Sequence, residues 1–271
     1  MGNEGHFAPD LYQGTAEYYD RYRLPYPASM LSHLVARTPL SGRGRLLDLA
    51  CGTGQLAFPL SPYFAEVWAV DQERDMVEAV RAKASAAGMS GVRTVVSSAE
   101  TLDVQPDYFE LVVVGNAFHR LQRDVAARLI RRWLIPGGHL ALCWSSSPWV
   151  GEEDWQRALA ATLQRWQREL GAERRIPPGA DQVRRRRPDS DVLSAAGFEI
   201  IGHHTFTVEQ RWSLADLAGH IRSTSFLPPA VLGDRGAAFD ADLAAALNPH
   251  ATDGVFTESV SFAYDLACNP I

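Results

Sequence analysis

The stretch Leu47-Asp48-Leu49-Ala50-Cys51-Gly52-Thr53-Gly54 decides how this chain is read. An apolar run that begins at Arg45-Leu46 stops at a glycine pair, with an acid, Asp48, just ahead of it. A parallel strand that delivers a tight glycine turn to a helix N-terminus has this pattern, because the glycines let backbone N–H groups approach a ligand. Counted from Gly52, the residues Gly52-Thr53-Gly54-Gln55-Leu56-Ala57 also satisfy the dinucleotide fingerprint, a weak signal by itself. The acid weighs against that reading. An ionised carboxylate at the carboxyl end of the strand repels a pyrophosphate and suits a cationic ligand.

A second apolar strand, residues 66–70, ends at Asp71, 19 residues beyond Gly52. Such folds place there the acid that accepts the ribose hydroxyls, so Asp71, followed by Gln72, points to a nucleoside. Met76 opens the next helix, where its thioether either packs on an adenine face or fills the core. S-adenosylmethionine (SAM) carries a ribose, a sulfonium and an ammonium group and has no phosphate. It meets both conditions, whereas NAD meets only the ribose one.

Composition bounds the class. With 271 residues and 46% hydrophobic content the chain can bury a full core, and it fits one large α/β domain with insertions. The longest apolar stretch, residues 109–118, is broken by Glu110, Gly115 and Asn116 and is too short to span a bilayer. The polar, tyrosine-rich N-terminus lacks the basic-then-apolar pattern of a secretory signal. Cys51, Cys143 and Cys268 are odd in number without metal-ligand spacing, so a reduced, cytoplasmic protein with no metal is expected. A net charge of −6 argues against a nucleic-acid partner and leaves a small-molecule substrate. Oligomeric state leaves no signal. One local exception is the run Arg184-Arg185-Arg186-Arg187, which is either a solvated loop edge or a receiver for an anionic substrate.

Strand and helix signals alternate from residue 45 to 144. Strands are expected at 45–49, 66–70, 92–97, 111–115 and 139–144, and helices at 55–60, 74–87 and 124–134, the last closed by Pro136-Gly137-Gly138. The alternation predicts an α/β, doubly wound, mostly parallel sheet with ligands at the carboxyl ends of its strands. Two segments interrupt it. Residues 149–189 hold an amphipathic helix with Trp155, Leu159, Leu163 and Trp166 on one stripe, and residues 213–249 form a second helical insertion. Strands at 198–208 and 255–266 bring the sheet to seven, with a hairpin-like return unlike the second half of a dehydrogenase. Residues 1–40 read as N-terminal cap helices on a domain of residues 41–271.

Five separated motifs together resemble a class I SAM-dependent methyltransferase of the small-molecule type, close in pattern to the trans-aconitate and ubiquinone/menaquinone group. They are the stretch 47–54; Val70-Asp71 with Met76; Ser98-Ala99-Glu100-Thr101-Leu102; Ala117-Phe118-His119; and Leu134-Ile135-Pro136-Gly137-Gly138. The resemblance implies a Rossmann-like methyltransferase fold with helical lid insertions at about 149–189 and 213–249. It also implies roles: Asp48 and the Gly52-Thr53-Gly54 backbone at the methionine part of SAM, and Asp71 with Gln72 and Met76 around the nucleoside. Ser98, Ala99 and Glu100 would read the adenine edge, Asn116 would meet the sulfonium, and Tyr19 or Arg23 would lie near the carboxylate. The sequence departs from the family pattern at Ser98, where an aspartate is common, at Arg120, where a tryptophan is usual, and at Leu24, which replaces a proline.

Methyl transfer from a sulfonium is an in-line displacement for which proximity and orientation supply most of the acceleration. A base is needed only when the nucleophile must lose a proton. His119 stands by pattern at the reactive end and is the candidate catalytic residue, with a pocket-shaping role as its competitor. Methyl transfer to an O, N or C nucleophile of a small metabolite is the leading expectation. A cyclase or isomerase that binds SAM without transferring its methyl group is the alternative, and a nicotinamide oxidoreductase is disfavoured by Asp48.

Overall fold

The computed structural model describes residues 10–176 and 184–271. The part of the Arg- and Pro-rich loop that contains Pro177, Pro178 and Gly179 lies outside the described residues. Seven strands form one sheet: β1 (Arg45–Leu49), β2 (Glu66–Asp71), β3 (Val92–Val96), β4 (Phe109–Gly115), β5 (Leu134–Ser145), β6 (Glu199–Ser213) and β7 (Val255–Cys268), in the order β3-β2-β1-β4-β5-β7-β6. The first five are mutually parallel, and β7 is antiparallel to both β5 and β6. The central strands are apolar along nearly their whole length because both faces are covered, as a parallel sheet requires.

One face is packed by α5 (Arg123–Trp133) and α7 (Asp189–Ala195), which bury Ala126, Ile130, Trp133, Val192 and Leu193 against Leu47, Val112 and Leu140. The other carries α2 (Ala28–Arg37), the short α3 (Ala57–Leu60) and α4 (Arg74–Ala86), with Met30, Leu34, Leu60 and Val80 on Leu46, Val113 and Ala141. The preceding helix α1 (Ala16–Tyr22) buries none of its residues fully, so tertiary contacts hold it in place.

The two insertions pack on each other. Helix α6 (Asp154–Glu169) begins with a Glu153/Gln156 capping box, and α8 (Leu214–Arg222) with a Ser213/Asp216 box. With α9 (Pro229–Leu232) and α10 (Gly236–Leu247) they form a third apolar core. The stripe Trp155, Leu159, Leu163 and Trp166 is buried there against Phe239 and Leu243.

Some boundaries differ from the expected ones. Helix formation after the glycine turn is delayed to Ala57, because Gly52 (φ 52°) and Gly54 (φ 86°) are left-handed. Pro136-Gly137-Gly138 lies within β5, where a register shift between Phe109 and Leu111 absorbs it, and α5 has already ended at Trp133. Strand β6 continues to Ser213, since its whole length pairs with β7.

Candidate functional site

A pocket opens at the carboxyl ends of β1 to β4. Its floor is Leu49, Ala50 and Gly52 after β1; Asp71, Gln72, Glu73 and Met76 after β2 lie on one side. The loop Ser97-Ser98-Ala99-Glu100 after β3, then Gly115, Asn116 and Ala117 after β4, complete the rim. Arg120 and Leu121 reach in from the turn beyond β4, and Leu11, Tyr12 and Tyr19 cover the opening.

Backbone hydrogen bonding explains why the floor has this shape. The Asp71 carboxylate accepts Gly52 N–H at 2.8 Å through Oδ2 and Glu73 N–H at 2.9 Å through Oδ1. One side chain therefore pins the glycine turn to the start of α4, and each oxygen keeps lone-pair capacity toward the pocket. Ala50 and Asn116, both non-glycine residues, sit at φ 57° and φ 50° on this rim. Asn116 is held by two bonds to the end of β5, donating from Nδ2 to Ser145 Oγ (2.9 Å) and accepting Ser145 N–H at Oδ1 (3.0 Å). Such strain persists where surrounding contacts over-determine it, and it clusters at ligand sites.

The pocket has an electrostatic polarity. Burial raises the Asp71 carboxyl above its usual range against the bonds from Glu73, Gly52 and Gln72 that lower it. Burial likewise pushes Glu73 up to about 7, opposed by the Tyr12 N–H that it accepts at 3.0 Å. Glu100 joins these acids on the β2–β3 side. Arg120 stands on the β4 side, its guanidinium 5.0 Å from the centre of the Tyr12 ring and its Nη2 donating to Ser225 Oγ at 3.2 Å. Tyr19 lies over the glycine turn so closely that a Cβ on Gly52 would be 3.0 Å from its ring. Burial pushes its hydroxyl up to about 12, so it stays protonated.

The structure thus brings together on the pocket wall Tyr19, Gly52, Asp71, Gln72, Met76, Ser98, Ala99, Glu100 and Asn116. Five expected residues stand off it. Asp48 is fully buried beneath the turn, and its Oδ2 accepts Ala57 N–H at 2.8 Å, so it caps α3 in place of facing a ligand. Thr53 is buried, and Gly54 faces Phe58 at a distance where a Cβ would clash. Arg23 turns away to Ser223, donating from Nε to Oγ (2.8 Å) and from Nη2 to the carbonyl (3.1 Å), while its guanidinium stacks on Tyr19.

His119 sits behind the rim, 6.0 Å from the Trp144 ring centre. Burial, with Arg120, Arg184 and Arg123 nearby, pushes its pKa down to about 3. Such an imidazole stays neutral at neutral pH and accepts a proton only weakly, which speaks against the expected role as a base. Of the arginine run, Arg187 pairs with both oxygens of Asp124 on α5, and Arg184 lies 4.0 Å over the Trp144 ring. Only Arg184 is therefore placed near the carboxyl ends of the strands, while Arg185 and Arg186 are exposed. Sequence reasoning passed over Glu73. Glu73 carried a legible signal, an acid two residues past a strand-terminal acid, at the cap of α4.

Residues 47–142 match the family model described as a methyltransferase domain. A stretch of 138 residues is 30% identical to an uncharacterised methyltransferase of Mycobacterium tuberculosis, covering 49% of this chain and 53% of that one. The chain spans about half the length of the curated relatives it matches. Among solved structures, a putative type II methyltransferase from Anaeromyxobacter dehalogenans superposes with a TM-score of 0.60 at 20% identity, over 91% of this chain and 97% of that one. The [4+2]-cyclase SpnF superposes with a TM-score of 0.54 at 21% identity, over 92% and 84%. These likenesses establish a Rossmann-like methyltransferase fold. Among the described residues, no helix is long and apolar enough to cross a membrane and no side-chain group could hold a metal ion.

Proposed function

We propose that this chain is a SAM-dependent methyltransferase whose acceptor is a small molecule, of the kind the trans-aconitate and ubiquinone/menaquinone group exemplifies. The observation that carries the reading is the pocket wall itself. Gly52, Asp71, the 97–100 loop and Asn116 stand at the carboxyl ends of four consecutive parallel strands, within the segment that matches a methyltransferase domain. Asp71 has the capacity to accept ribose hydroxyls, Met76 and Leu121 offer apolar faces for a purine, and Ala99 with Glu100 offers backbone and carboxylate for its edge. When bound, SAM supplies an electrophilic methyl carbon. The chain's own residues orient the nucleoside, and Tyr19, Tyr12 and the two helical insertions exclude water, acting as a lid. Asp48 contributes through the shape of the turn. The reaction proceeds by positioning, and His119 shapes the pocket beside Trp144 without moving a proton.

The test is calorimetric titration with SAM, S-adenosylhomocysteine and NADH, followed by incubation with methyl-labelled SAM and a small-molecule extract. Tight binding of the two sulfur nucleosides and label in a small product are expected. Tighter binding of NADH would overturn the cofactor. SAM binding with chemical change in the extract but no label transferred would favour the cyclase or isomerase alternative.

A further inference from the structure

We infer that the second insertion sets nucleoside affinity from outside the pocket; this rests on the SAM-binding reading above. Its buried turn Ser223-Thr224-Ser225, together with Arg175 of the first insertion, positions the wall residues Leu11, Tyr12, Tyr19 and Arg120. None of the described residues from 149 to 249 lines the pocket, yet arginines from three separate parts of the chain tie its mouth to this turn. Arg23 donates from Nε to Ser223 Oγ and from Nη2 to Ser223 O, and its guanidinium stacks 4.9 Å from the centre of the Tyr19 ring. Arg120 donates from Nη2 to Ser225 Oγ, and its guanidinium lies against Tyr12. Arg175 donates from Nε to Ser225 O and from Nη2 to Leu11 O (2.8 Å), so it bridges the turn and the pocket wall directly.

The turn is made to receive cations. Ser223, Thr224 and Ser225 are all buried, beside the apolar Ile221, Phe226 and Leu227, where a hydroxyl or carbonyl without a partner is costly. Ser223 and Thr224 donate their hydroxyl protons to the His220 and Ile221 carbonyls at the end of α8. Those bonds, with the backbone ones from Ser223 and Thr224 to residues 219–221, already suffice to end the helix. The oxygens left over, Ser223 Oγ and O and Ser225 Oγ and O, are the ones that accept from the arginines. A guanidinium is a rigid planar fork, so fixing one of its nitrogens also fixes the ring it stacks on and the group its other nitrogens reach. Shifting the turn therefore shifts Leu11, Tyr12, Tyr19 and Arg120 together. The coupling is reciprocal: if the turn settles these residues for a nucleoside, a bound nucleoside must steady the turn by the same free energy.

The experiment titrates SAM and S-adenosylhomocysteine calorimetrically into wild type, Arg175→Gln, Ser225→Ala and Arg174→Gln. Arg175→Gln and Ser225→Ala should each weaken both nucleosides by about tenfold. Arg174→Gln, which removes the same charge from the exposed neighbouring residue, should leave both affinities as in wild type. Removing a cation beside a pocket lined by Asp71, Glu73 and Glu100 favours SAM through charge alone, so weaker SAM binding in Arg175→Gln marks lost positioning. Hydrogen exchange read by mass spectrometry gives the reciprocal measurement. S-adenosylhomocysteine should slow exchange in residues 10–23 and also in residues 221–227 of wild type. Arg175→Gln should keep the protection at residues 50–54 and lose that at residues 221–227. Should one variant exchange throughout its chain without nucleoside, the other decides. Wild-type affinity in a folded Arg175→Gln or Ser225→Ala overturns the proposal, as does protection in wild type that leaves residues 221–227 untouched. An equal loss in Arg174→Gln overturns it too, since charge and not the turn would then be responsible. A wild type that binds neither nucleoside overturns the cofactor reading itself and this proposal with it.

Discussion

Replacing Asp48 by asparagine should make the protein more stable at pH 8, although it alters the acid of the glycine-turn motif. The carboxyl is fully buried, its neighbouring charge is another acid, Asp71, and its partner is the Ala57 N–H. Burial is the largest cause of its rise from 3.8 to about 7. A folded-state value above the unfolded one means that stability is fully present below about pH 4 and is lost as pH climbs toward 7. The loss is on the order of 4 kcal/mol at 1.36 kcal/mol per pKa unit. Asparagine keeps an oxygen for Ala57 N–H and cannot ionise, but it buries an amide N–H pair at a cost of about 1 to 3 kcal/mol. The variant should therefore gain about 1 to 3 kcal/mol over wild type at pH 8 and lose a similar amount at pH 4. Urea unfolding followed by tryptophan fluorescence at both pH values measures the difference, and subtracting the two proteins cancels the parallel titration of Glu73. A variant less stable than wild type at pH 8, with an unchanged pH slope, would refute the argument and restore Asp48 as an ionised ligand. Calorimetry at pH 7 in two buffers of unlike ionisation enthalpy adds a second reading, because a cation bound near Asp48 would expel its proton in wild type only.

Asp71→Ala orphans the Gly52 and Glu73 N–H groups as well as the ribose, so SAM affinity should fall by about one to two decades with a stability loss of about 2 to 4 kcal/mol; calorimetry and urea unfolding separate the two, and unaltered affinity would reject the ribose role. His119→Ala should lower kcat by less than about tenfold, equally from pH 6 to 9, since the neutral imidazole only fills space; a loss of two decades that shrinks as pH rises would reinstate the base. Arg187→Ser should lower the urea midpoint by breaking the paired bond to Asp124 while leaving KM unchanged, whereas Arg184→Ser should raise KM for an anionic acceptor; identical effects would show that the run acts as one solvated edge. His220 is buried between Trp149 and Trp212 and held down at about 3, so stability should fall as pH drops from 6.5 toward 3, and His220→Gln should flatten that acid limb.

Much of the doubly wound core was readable because its signals are local. Apolar runs of strand length, Asp71 at a strand end and glycines at left-handed positions each need only a few neighbouring residues to be recognised. The direction in which a side chain leaves a strand end is not local. Asp48 and Asp71 occupy similar places in the sequence pattern, yet one turns beneath the loop to Ala57 and the other toward the pocket. Arg23 illustrates the same limit, since the Ser223 that captures it is 200 residues away. The tryptophan stripe of α6 was legible as an apolar face, but that it would meet Phe239 and Leu243 depended on a helix some eighty residues later. Arg120 stood out only as a departure from a family pattern, and its place in one pocket with Asp71, Glu73 and Glu100 depends on strand ends far apart in sequence.

The strap that runs from Leu11 to Arg23 is tied at its sides to α4, through Tyr12 N–H on Glu73, Gly14 N–H on Asp75 and Lys83 on Asp20, and to α8 through Arg23 on Ser223 and Tyr22 O on His220. Its clasp on α8 closes a loop of 200 residues, which costs about 2 kcal/mol more in chain entropy than a loop a tenth as long. The strap's contacts come from two distant parts of the chain, α4 and α8, so its full set of bonds exists only once both are in place. The sheet can therefore form around an open cleft, and the strap closes last. Because the strap contributes no strand to the sheet, breaking its bonds to α4 and α8 would leave the pairing of β1 to β5 intact.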